Sequence, residues 1–517
     1  MRIHRFIAVV CTILFVFLWI HGSLLGLTDD EAYYWILSRT PSWGYAYHPP
    51  AVGWVIAFFE KTLGPILGYA SSAVVRFPSS LFTALVVCGV LIWYEKIGFT
   101  SRQLKKSFFI FLAFPALFGS SWMMVPDLPL FLGWILLFVC IWECLKGKPS
   151  NRHYCGITLG TALALLSKFS AILFIASAVM TLWIGGYRVP ERRKIFFKAS
   201  AALFFGLFLA LIPILIWNIK TNWEPLRYQI HDRHSGGHLS LLRFSRFWLI
   251  EILIAGPALI YFGFKQGYLN AKKMFSVFCK ERGLSSGQYL FIWAFPSALV
   301  FCLQPLISDF KLHWVFIVWL PVMMEFVRQV IVKGPIQPRL KMATYFQQAY
   351  SYFLIAFVLV SCHVPLMSWT MQRVLNKEPD PRWDVTNDMY GWSELRNQVQ
   401  EHLGVAALAF PLVGSRYQTA SQAAFSWGNA SRVELLPRGT KDRFEWPELG
   451  ITDGVGPEWP RLLSPVLFVA DNRYTAGPEF KSAHCEKSFE YSSKRRSFLA
   501  KSFTVWRCDP EASQKFF

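Results

Sequence analysis

The amino-acid sequence predicts a polytopic α-helical membrane protein with a small α/β domain at its C-terminal end. Hydrophobic residues make up 54% of the 517 residues, and the mean hydropathy is +0.35. They form blocks such as 6–27 and 345–366, and a helix needs about 20 apolar residues to cross the hydrocarbon core. After about residue 368 the composition changes, and charged residues, prolines and glycines become frequent.

The net charge of +20 indicates membrane topology rather than nucleic-acid binding. Residues 368–517 contain 19 basic and 18 acidic residues, which leaves 33 basic and 14 acidic residues in 1–367. The basic residues are concentrated in short connections such as 95–106 and 188–198, and such an excess is typical of cytoplasmic loops. A nucleic-acid partner is therefore disfavoured.

Eleven spans satisfy this charge rule if the N-terminus is cytoplasmic. A cleaved signal peptide is the alternative for the first block, but no small-residue cleavage site follows it. The stretch 154–187 is either two short helices with an outer turn near Lys168, which we prefer, or one span that breaks the rule. The predicted spans are about 6–27, 73–94, 107–123, 129–145, the two helices of 154–187, 199–217, 247–264, 289–304, 314–330 and 345–367.

This order divides the chain into a transmembrane domain, 1–367, and an extracytoplasmic domain, 368–517. The first outer loop, 28–72, contains two amphipathic segments, 31–38 and 52–67, with tryptophan and tyrosine between them. Such segments tend to lie flat at the membrane interface. The domain 368–517 has apolar runs at 405–413, 465–470 and 503–506 that alternate with helix-like segments at 392–403 and 417–425, which predicts an α/β domain.

Cys485 and Cys508 are the only cysteines after residue 368. A disulfide between them is plausible if this domain lies in an oxidising compartment. Two free thiols are the alternative, and the sequence leaves both open.

Acidic residues mark two candidate catalytic positions on the predicted outer face. Asp29-Asp30-Glu31 follows the first span directly, and a carboxylate held near the membrane surface can act as a general base toward a hydroxyl. Asp127, in Pro126-Asp127-Leu128-Pro129, occupies a very short turn at membrane depth, where an ionisable group is a functional-site hypothesis. The alternatives are a solvated acidic cluster and an ordinary helix-capping aspartate.

Lys168 and Arg227 are candidates for binding a phosphate, and His48 is presented at a defined place in the first outer loop, the alternative being an exposed histidine in an interfacial turn. His48 precedes Pro49-Pro50, which restrict the backbone around it. Lys168 interrupts an apolar stretch, and a cation there needs a partner such as a lipid phosphate. Arg227 contributes positive charge to the loop after span 7. Any anionic headgroup would also satisfy these groups. The sequence contains no P-loop or dinucleotide-binding glycine pattern, so nucleotide-driven chemistry is disfavoured.

These motifs resemble the bacterial glycosyltransferase family 39 proteins, which are relatives of the protein O-mannosyltransferases and of the aminoarabinose transferase that acts on lipid A. The resemblance runs nearly from end to end, and the pairing of Asp-Glu with His-Pro-Pro is its most specific part. The motifs are Asp30-Glu31-Ala32-Tyr33-Tyr34-Trp35, Gly44-Tyr45, His48-Pro49-Pro50, Pro126-Asp127-Leu128-Pro129, 160–170, 213–218, Tyr390-Gly391-Trp392, Ser415-Arg416-Tyr417-Gln418-Thr419-Ala420-Ser421 and Arg443-Phe444-Glu445-Trp446.

The resemblance implies the glycosyltransferase C fold, a polyprenyl-phosphate sugar donor and inversion at the anomeric carbon. It implies that Asp30 is the catalytic carboxylate, that Glu31 supports it and that Asp127 is a second essential acid. Lys168 and Arg227 would bind the donor phosphate. His48 would assist them, although the aminoarabinose transferases have a lysine at this position. A divalent metal occurs in some relatives, but no ligand set is visible in the sequence.

The sequence therefore predicts an inner-membrane enzyme that transfers a sugar from a polyprenyl phosphate to lipid A, lipopolysaccharide or another envelope glycan. Asp29 is expected to be a solvated neighbour of Asp30. A protein O-glycosyltransferase with serine or threonine acceptors is the alternative within this class. A transporter or flippase of lipid-linked sugar is the alternative from another class, and a structural envelope protein is a third.

Overall fold

The computed structural model describes residues 2–45, 47–119, 121–147, 149–232, 237–278, 284–334, 336–414, 416–428, 433–435, 465–475 and 485–508. The motif at 443–446 lies outside the described residues. The α-helices are α1 (Arg2–Ser23), α2 (Asp29–Arg39), α3 (Ala51–Leu67), α4 (Ser72–Lys96), α5 (Ser101–Leu112), α6 (Pro115–Phe118), α7 (Asp127–Lys146), α8 (Asn151–Ser167), α9 (Ile172–Leu182), α10 (Arg193–Lys220), α11 (Glu224–Arg227), α12 (Leu241–Ala255), α13 (Pro257–Phe278), α14 (Ser286–Phe301), α15 (Phe316–Lys333), α16 (Pro338–His363), α17 (Leu366–Arg373), α18 (Trp392–Leu403) and α19 (Tyr417–Trp427). The strands are β1 (Leu412–Gly414), β2 (Val433–Leu435), β3 (Val466–Asp471), β4 (Cys485–Arg495) and β5 (Phe498–Cys508).

The chain divides into two compact units, each built from several segments. The first unit consists of Met1–Leu18, Ser79–Trp122 and Pro126–Ala356. The second consists of Trp19–Pro78, Met123–Val125 and Phe357–Phe517, so the first predicted outer loop and the C-terminal residues belong to the same unit.

The helices confirm the prediction of a multi-pass membrane protein. In the part of the chain that the structure describes, eight helices are long and apolar enough to cross a membrane, or nine if the bent pair α12–α13 is one span. The count of eleven stays a prediction. The eight are Ile3–Ser23, Ser72–Lys96, Asp127–Lys146, Phe169–Tyr187, Pro190–Lys220, Ser286–Leu306, Leu312–Lys333 and Pro338–His363.

Local breaks in the helices interrupt three of the predicted membrane-spanning stretches. The chain is extended at Lys168 (φ −158°, ψ 137°), which confirms a break inside 154–187. The predicted span 107–123 is instead the two helices α5 and α6, because Pro115 disfavours helical backbone at the residue before it. The expected continuous span 247–264 is wrong. The chain bends by 110° between α12 and α13, where Gly256 has a φ of +93° and Pro257 offers no backbone N–H.

In the first unit, glycines allow α7 and α8 to pack at very short distance. A Cβ atom on Gly133 would lie 2.7 Å from the backbone nitrogen of Ala164, and one on Gly160 would lie 2.8 Å from the carbonyl oxygen of Gly133. Only a short connection separates the two helices, so they run antiparallel. The start of α7 and the end of α8 therefore lie at the same end of the pair, which places Asp127 near Lys168.

In the second unit, helices α2 and α3 form at the two segments predicted to be amphipathic and share a hydrophobic core with the C-terminal residues. Their location at the membrane interface stays a prediction. Buried side chains of α2 and α3, such as Trp35 and Ile56, belong to the same core as Leu395, Ala424 and Val505. One face of α3 stays exposed and apolar. Phe58 and Ile66, for example, are 60% and 78% exposed, as expected for a helix that lies in a membrane surface.

The C-terminal residues form the predicted small α/β domain, around a mixed five-stranded sheet of order β2-β1-β3-β5-β4. Strand β1 pairs in parallel with β2 and β3, whereas β5 pairs antiparallel with β3 and β4. The predicted apolar run 405–413 is mostly a short helix, Val405–Ala409, and only its end enters β1. Cys485 and Cys508 are directly opposite each other on β4 and β5 and form a disulfide.

Candidate active site

The acidic cluster forms the first turn of α2, and its three members have different surroundings. Negative side chains are favourable at a helix N-terminus, where backbone N–H groups are unpaired within the helix. The carboxylate of Glu31 accepts hydrogen bonds from the backbone N–H and the hydroxyl of Thr28, both at 3.0 Å. This bond from the third residue back to the residue before the helix sets where α2 begins.

Glu31 is completely buried and anchors this turn through Arg76. The guanidinium of Arg76 donates to both carboxylate oxygens, at 2.8 and 2.5 Å, and neither side chain is exposed. Arg76 also donates to the carbonyl oxygens of Gly22, Leu25 and Gly26. The backbone N–H of Met124 donates to Glu31 Oε1 at 2.8 Å. Glu31 therefore acts on its neighbours by holding the start of α2 in place.

Asp29 is buried, so the expectation of a solvated neighbour is wrong. Its carboxylate accepts a hydrogen bond from the side-chain amide of Gln422 at 3.1 Å. Burial raises the pKa of Asp29, and the nearby charge of Lys501 acts in the opposite direction. Close by, Asp388 forms an ion pair with Arg473 at 2.7 Å. The residues that bury Asp29 come from the distant C-terminal segments, which no local pattern around residue 29 indicates.

Asp30 is the exposed member of the cluster. Its Oδ1 accepts a hydrogen bond of 3.2 Å from the hydroxyl of Tyr417, the first residue of α19. The ring of Tyr417 also contacts the ring of Tyr33, with centroids 5.1 Å apart. The structure thus presents one carboxylate to its surroundings between two buried ones, and a neutral hydroxyl orients it.

His48 lies in the same unit and contacts the other tyrosine of α2. Its Nε2 atom is 3.4 Å from the hydroxyl of Tyr34, and the two rings meet edge to face at 5.5 Å. The carbonyl oxygen of His48 accepts a hydrogen bond from the backbone N–H of Tyr45, which closes the turn before α3. His48 is half-buried.

Asp127 and Lys168 form an ion pair in the first unit. The ammonium of Lys168 lies 2.8 Å from Oδ1 and 3.1 Å from Oδ2 of Asp127, and the side chains are only 13% and 10% exposed. His313 Nε2 lies 4.0 Å from Oδ2 of the same carboxylate. Asp127 is also in the first turn of α7, whose N-terminus favours a negative charge.

Arg227 ends the four-residue helix α11 and is exposed. The side chain of Asn218 organises this segment, because its oxygen accepts from the backbone N–H of Leu226 and its amide donates to the carbonyl of Ile214. Asn222 and Trp223 both have a positive φ, at 51° and 63°. The chain thus turns sharply between α10 and Arg227.

The predicted site residues fall into two groups by unit. Asp30, Glu31 and His48 belong to the second unit, whereas Asp127, Lys168 and Arg227 belong to the first. No group of three histidine, cysteine, aspartate or glutamate side chains that could hold a metal ion occurs among the residues described.

Sequence reasoning missed three residues that hold the acidic turn, Arg76, Tyr417 and Gln422. A signal existed for Arg76, a cation at the predicted outer end of a span, against the charge rule. Tyr417 was present only as part of a motif that resembled the family. Gln422 gave no signal, since a polar residue in a helix of a charged domain is ordinary.

Comparisons with known proteins place this architecture among membrane proteins of the glycosyltransferase C fold. Residues 47–217, about a third of the chain, match the model of a family described as dolichyl-phosphate-mannose-protein mannosyltransferase. No curated protein matches the sequence significantly.

Two solved structures share the fold along nearly the whole chain. The apo structure of ArnT from Cupriavidus metallidurans has a TM-score of 0.61 and 11% identity, covering 98% of each chain. The structure of the same protein bound to undecaprenyl phosphate has a TM-score of 0.59 and 11% identity, covering 96% of this chain and 97% of that one. The fold expected from the resemblance is confirmed.

Proposed function

We propose that this chain is a membrane glycosyltransferase that transfers a sugar from a polyprenyl-phosphate donor to an acceptor hydroxyl outside the cytoplasm. The observation that carries the proposal is the exposed carboxylate of Asp30, fixed between two buried acids at the start of α2 and oriented by Tyr417. The family model, named for a dolichyl-phosphate sugar, and the fold of ArnT, crystallised with undecaprenyl phosphate, support a lipid-phosphate donor.

In this proposal Asp30 acts as a general base. It accepts the proton of the acceptor hydroxyl while the oxygen forms a bond to the anomeric carbon of the sugar. The bond between that carbon and the donor phosphate oxygen breaks, and its electron pair leaves with the polyprenyl phosphate. Attack opposite the leaving group inverts the anomeric centre. Glu31, being buried, contributes as a positioning residue through Arg76 rather than by contact with the substrate.

The leaving phosphate gains negative charge, which cations stabilise. We assign Lys168 and Arg227 to this role, with His48 as an assisting group. Asp127 then has the role of holding the ammonium of Lys168 at a fixed position, as the 2.8 and 3.1 Å contacts support. No step of this mechanism requires a bound metal ion.

For the acceptor, we propose lipid A, lipopolysaccharide or another envelope glycan. A serine or threonine hydroxyl of a protein is the second candidate, supported by the protein mannosyltransferase description of the matching family. We place the enzyme in the inner membrane with the C-terminal domain outside the cytoplasm. The Cys485–Cys508 disulfide supports this side of the membrane, because disulfides persist in oxidising compartments.

The test is the substitution Asp30→Asn, assayed in purified membranes with a radiolabelled polyprenyl-phosphate sugar. Sugar transfer should fall by about 10²- to 10⁴-fold, the usual contribution of a general base, while insertion and crosslinking of a polyprenyl-phosphate probe persist. Asp309→Asn is the matched control, because Asp309 is a highly exposed carboxylate (99%) that should leave transfer unchanged.

Transfer by Asp30→Asn at the wild-type rate would overturn the assignment of the base. Transfer from a nucleotide sugar but not from the lipid donor would overturn the donor class. Mass spectrometry of the membranes with and without the protein then identifies the acceptor, since a glycolipid and a glycopeptide product differ in mass and extraction.

A further inference from the structure

Helix α19 lies against α2 because its buried face consists of small residues. Ala420, Ala423 and Ala424 are at most 1% exposed and belong to the core shared with α2. Gly414, which ends β1, permits the approach of α19 to the sheet, since a Cβ atom there would lie 2.7 Å from the Cβ of Ala420. The backbone of α19 is thus held close to the acidic turn.

Aromatic contacts hold α19 against α2 at two points. Near its start, Tyr417 meets Tyr33 edge to face at 5.1 Å. Near its end, Phe425 meets Trp35 in the same manner, also at 5.1 Å. Two separated contacts oppose a pivot of α19 on α2 and support the position of the Tyr417 hydroxyl, 3.2 Å from Asp30 Oδ1.

Gln422 ties the chain around Asp29 to the C-terminal domain. Its amide nitrogen lies 2.8 Å from the carbonyl oxygen of Leu27 and 3.1 Å from both Oδ1 of Asp29 and the carbonyl oxygen of Asp388, so its two N–H groups are shared among three acceptors. The side chain is 2% exposed, so these bonds form away from water, where an unsatisfied amide is costly. The residues just before Asp30 are therefore tied to α19, and Glu31, just after it, is held by Arg76.

We infer that α19 is a positioning element for the proposed base, in which the Tyr417 hydroxyl orients the Asp30 carboxylate and Gln422 fixes the turn that carries it. The inference rests on the proposed function. A hydrogen bond to the charged form of a carboxylate favours that form, so Tyr417 also keeps Asp30 ionised at lower pH. Charged groups around this turn include Asp29 and Glu31 with Arg76. Beyond Gln422 they include Lys501, Asp388, Asp471 and Arg473.

The test is Tyr417→Phe in the full-length protein, which removes the hydroxyl and keeps the ring contact with Tyr33. The turnover number for sugar transfer should fall about tenfold, as expected for one hydrogen bond to a charged group, while KM for the donor stays within about twofold. The acid limb of the pH profile should move to higher pH. Tyr69→Phe is the matched control, because Tyr69 is 63% exposed.

A second readout does not depend on activity. Carbodiimide labelling of Asp30, measured by mass spectrometry across pH, should titrate at higher pH in Tyr417→Phe than in the wild type. A purely structural role of Tyr417 would lower the unfolding temperature without moving this titration.

The outcomes separate the two proposals. An unchanged turnover and an unchanged labelling titration in Tyr417→Phe, with Asp30→Asn inactive, would overturn the positioning role alone. If the titration is shifted in Tyr417→Phe but Asp30→Asn transfers sugar at the wild-type rate, the contact between Tyr417 and Asp30 stands and the role of Asp30 as the base is overturned. Gln422→Met should lower the turnover number as well, and wild-type turnover in this variant would contradict its part of the inference.

Discussion

Asp30 and Asp127 each occupy the first turn of a helix, and their surroundings differ in a way that separates their chemistry. Asp30, in the first turn of α2, is exposed and accepts a hydrogen bond from the neutral hydroxyl of Tyr417. Asp127, in the first turn of α7, has a side chain that is only 10% exposed, with both oxygens within 3.1 Å of the Lys168 ammonium. A helix N-terminus is a favourable place for a negative side chain, so this feature is common to both.

The difference teaches which acid is suited to accept a proton. A carboxylate in contact with an ammonium is stabilised in its charged form and is a weaker base. A carboxylate that accepts from a neutral hydroxyl keeps more of its basicity and is still oriented. This difference is the reason why the proposed function assigns the general base to Asp30 and the holding of Lys168 to Asp127. Both acids are at a helix start, so position in a helix alone does not decide the role.

The largest effect should come from breaking the ion pair of Asp127. Lys168→Met leaves a largely buried carboxylate without its cation, and loss of one partner of a buried pair costs about 3–5 kcal/mol. We expect a lower unfolding temperature in detergent and loss of sugar transfer. The double variant Asp127→Asn/Lys168→Met should recover much of the stability but not the transfer, and Lys272→Met, an exposed lysine, is the control.

If the double variant recovers transfer together with stability, the pair is structural only and Lys168 does not serve the donor phosphate. That result would leave Asp127 and Lys168 without a role in sugar transfer. Asp30→Asn should in contrast lower transfer with little change in stability, because surface substitutions usually change stability by less than about 0.5 kcal/mol.

An intermediate effect should come from Glu31→Gln. The substitution removes the negative charge that faces Arg76, but the guanidinium keeps its hydrogen bonds to three backbone carbonyls. We therefore expect the free energy of unfolding to fall by about 3 kcal/mol, the lower end of the range for a broken buried ion pair. Transfer should fall because the turn that carries Asp30 loosens. Thermal unfolding followed by intrinsic fluorescence measures the stability, and Glu394→Gln on the exposed first turn of α18 is the control. Wild-type stability in Glu31→Gln would contradict the anchoring role.

The smallest effect should be a pH dependence of stability from the buried acids behind Asp30. Burial, with the charge of Asp29 as a further cause, raises the pKa of Asp388 to about 7 from an ordinary 3.8. The folded protein then binds a proton that the unfolded chain has released. This contribution is fully present below about pH 4 and is lost as the pH rises toward 7.

We therefore expect the unfolding temperature to fall between pH 5 and pH 8, and the fall to be smaller in Asp388→Asn. Each kcal/mol corresponds to about 2–4 °C for a unit of this size. Asp309→Asn, which changes an exposed carboxylate, should keep the wild-type slope. An identical slope in Asp388→Asn would show that this carboxyl does not govern the pH dependence.

Several elements could be predicted from sequence with close bounds because their signals are local. Amphipathic periodicity predicted helices α2 and α3, an interrupting charge predicted the break at Lys168, and apolar spacing predicted helix α18. The bend at Gly256-Pro257 was missed because apolar residues continue through it and the hydropathy pattern does not register backbone direction.

The sequence by itself determined that the protein crosses a membrane several times, that an acidic turn follows the first span and that a small α/β domain ends the chain. It could do so because hydropathy and helical periodicity are properties of neighbouring residues. Only the tertiary structure decided which acid is exposed. Tyr417 is 387 positions from Asp30, Gln422 is 393 from Asp29 and Arg76 is 45 from Glu31. Such partners are chosen by packing of distant segments, and no local pattern records that choice.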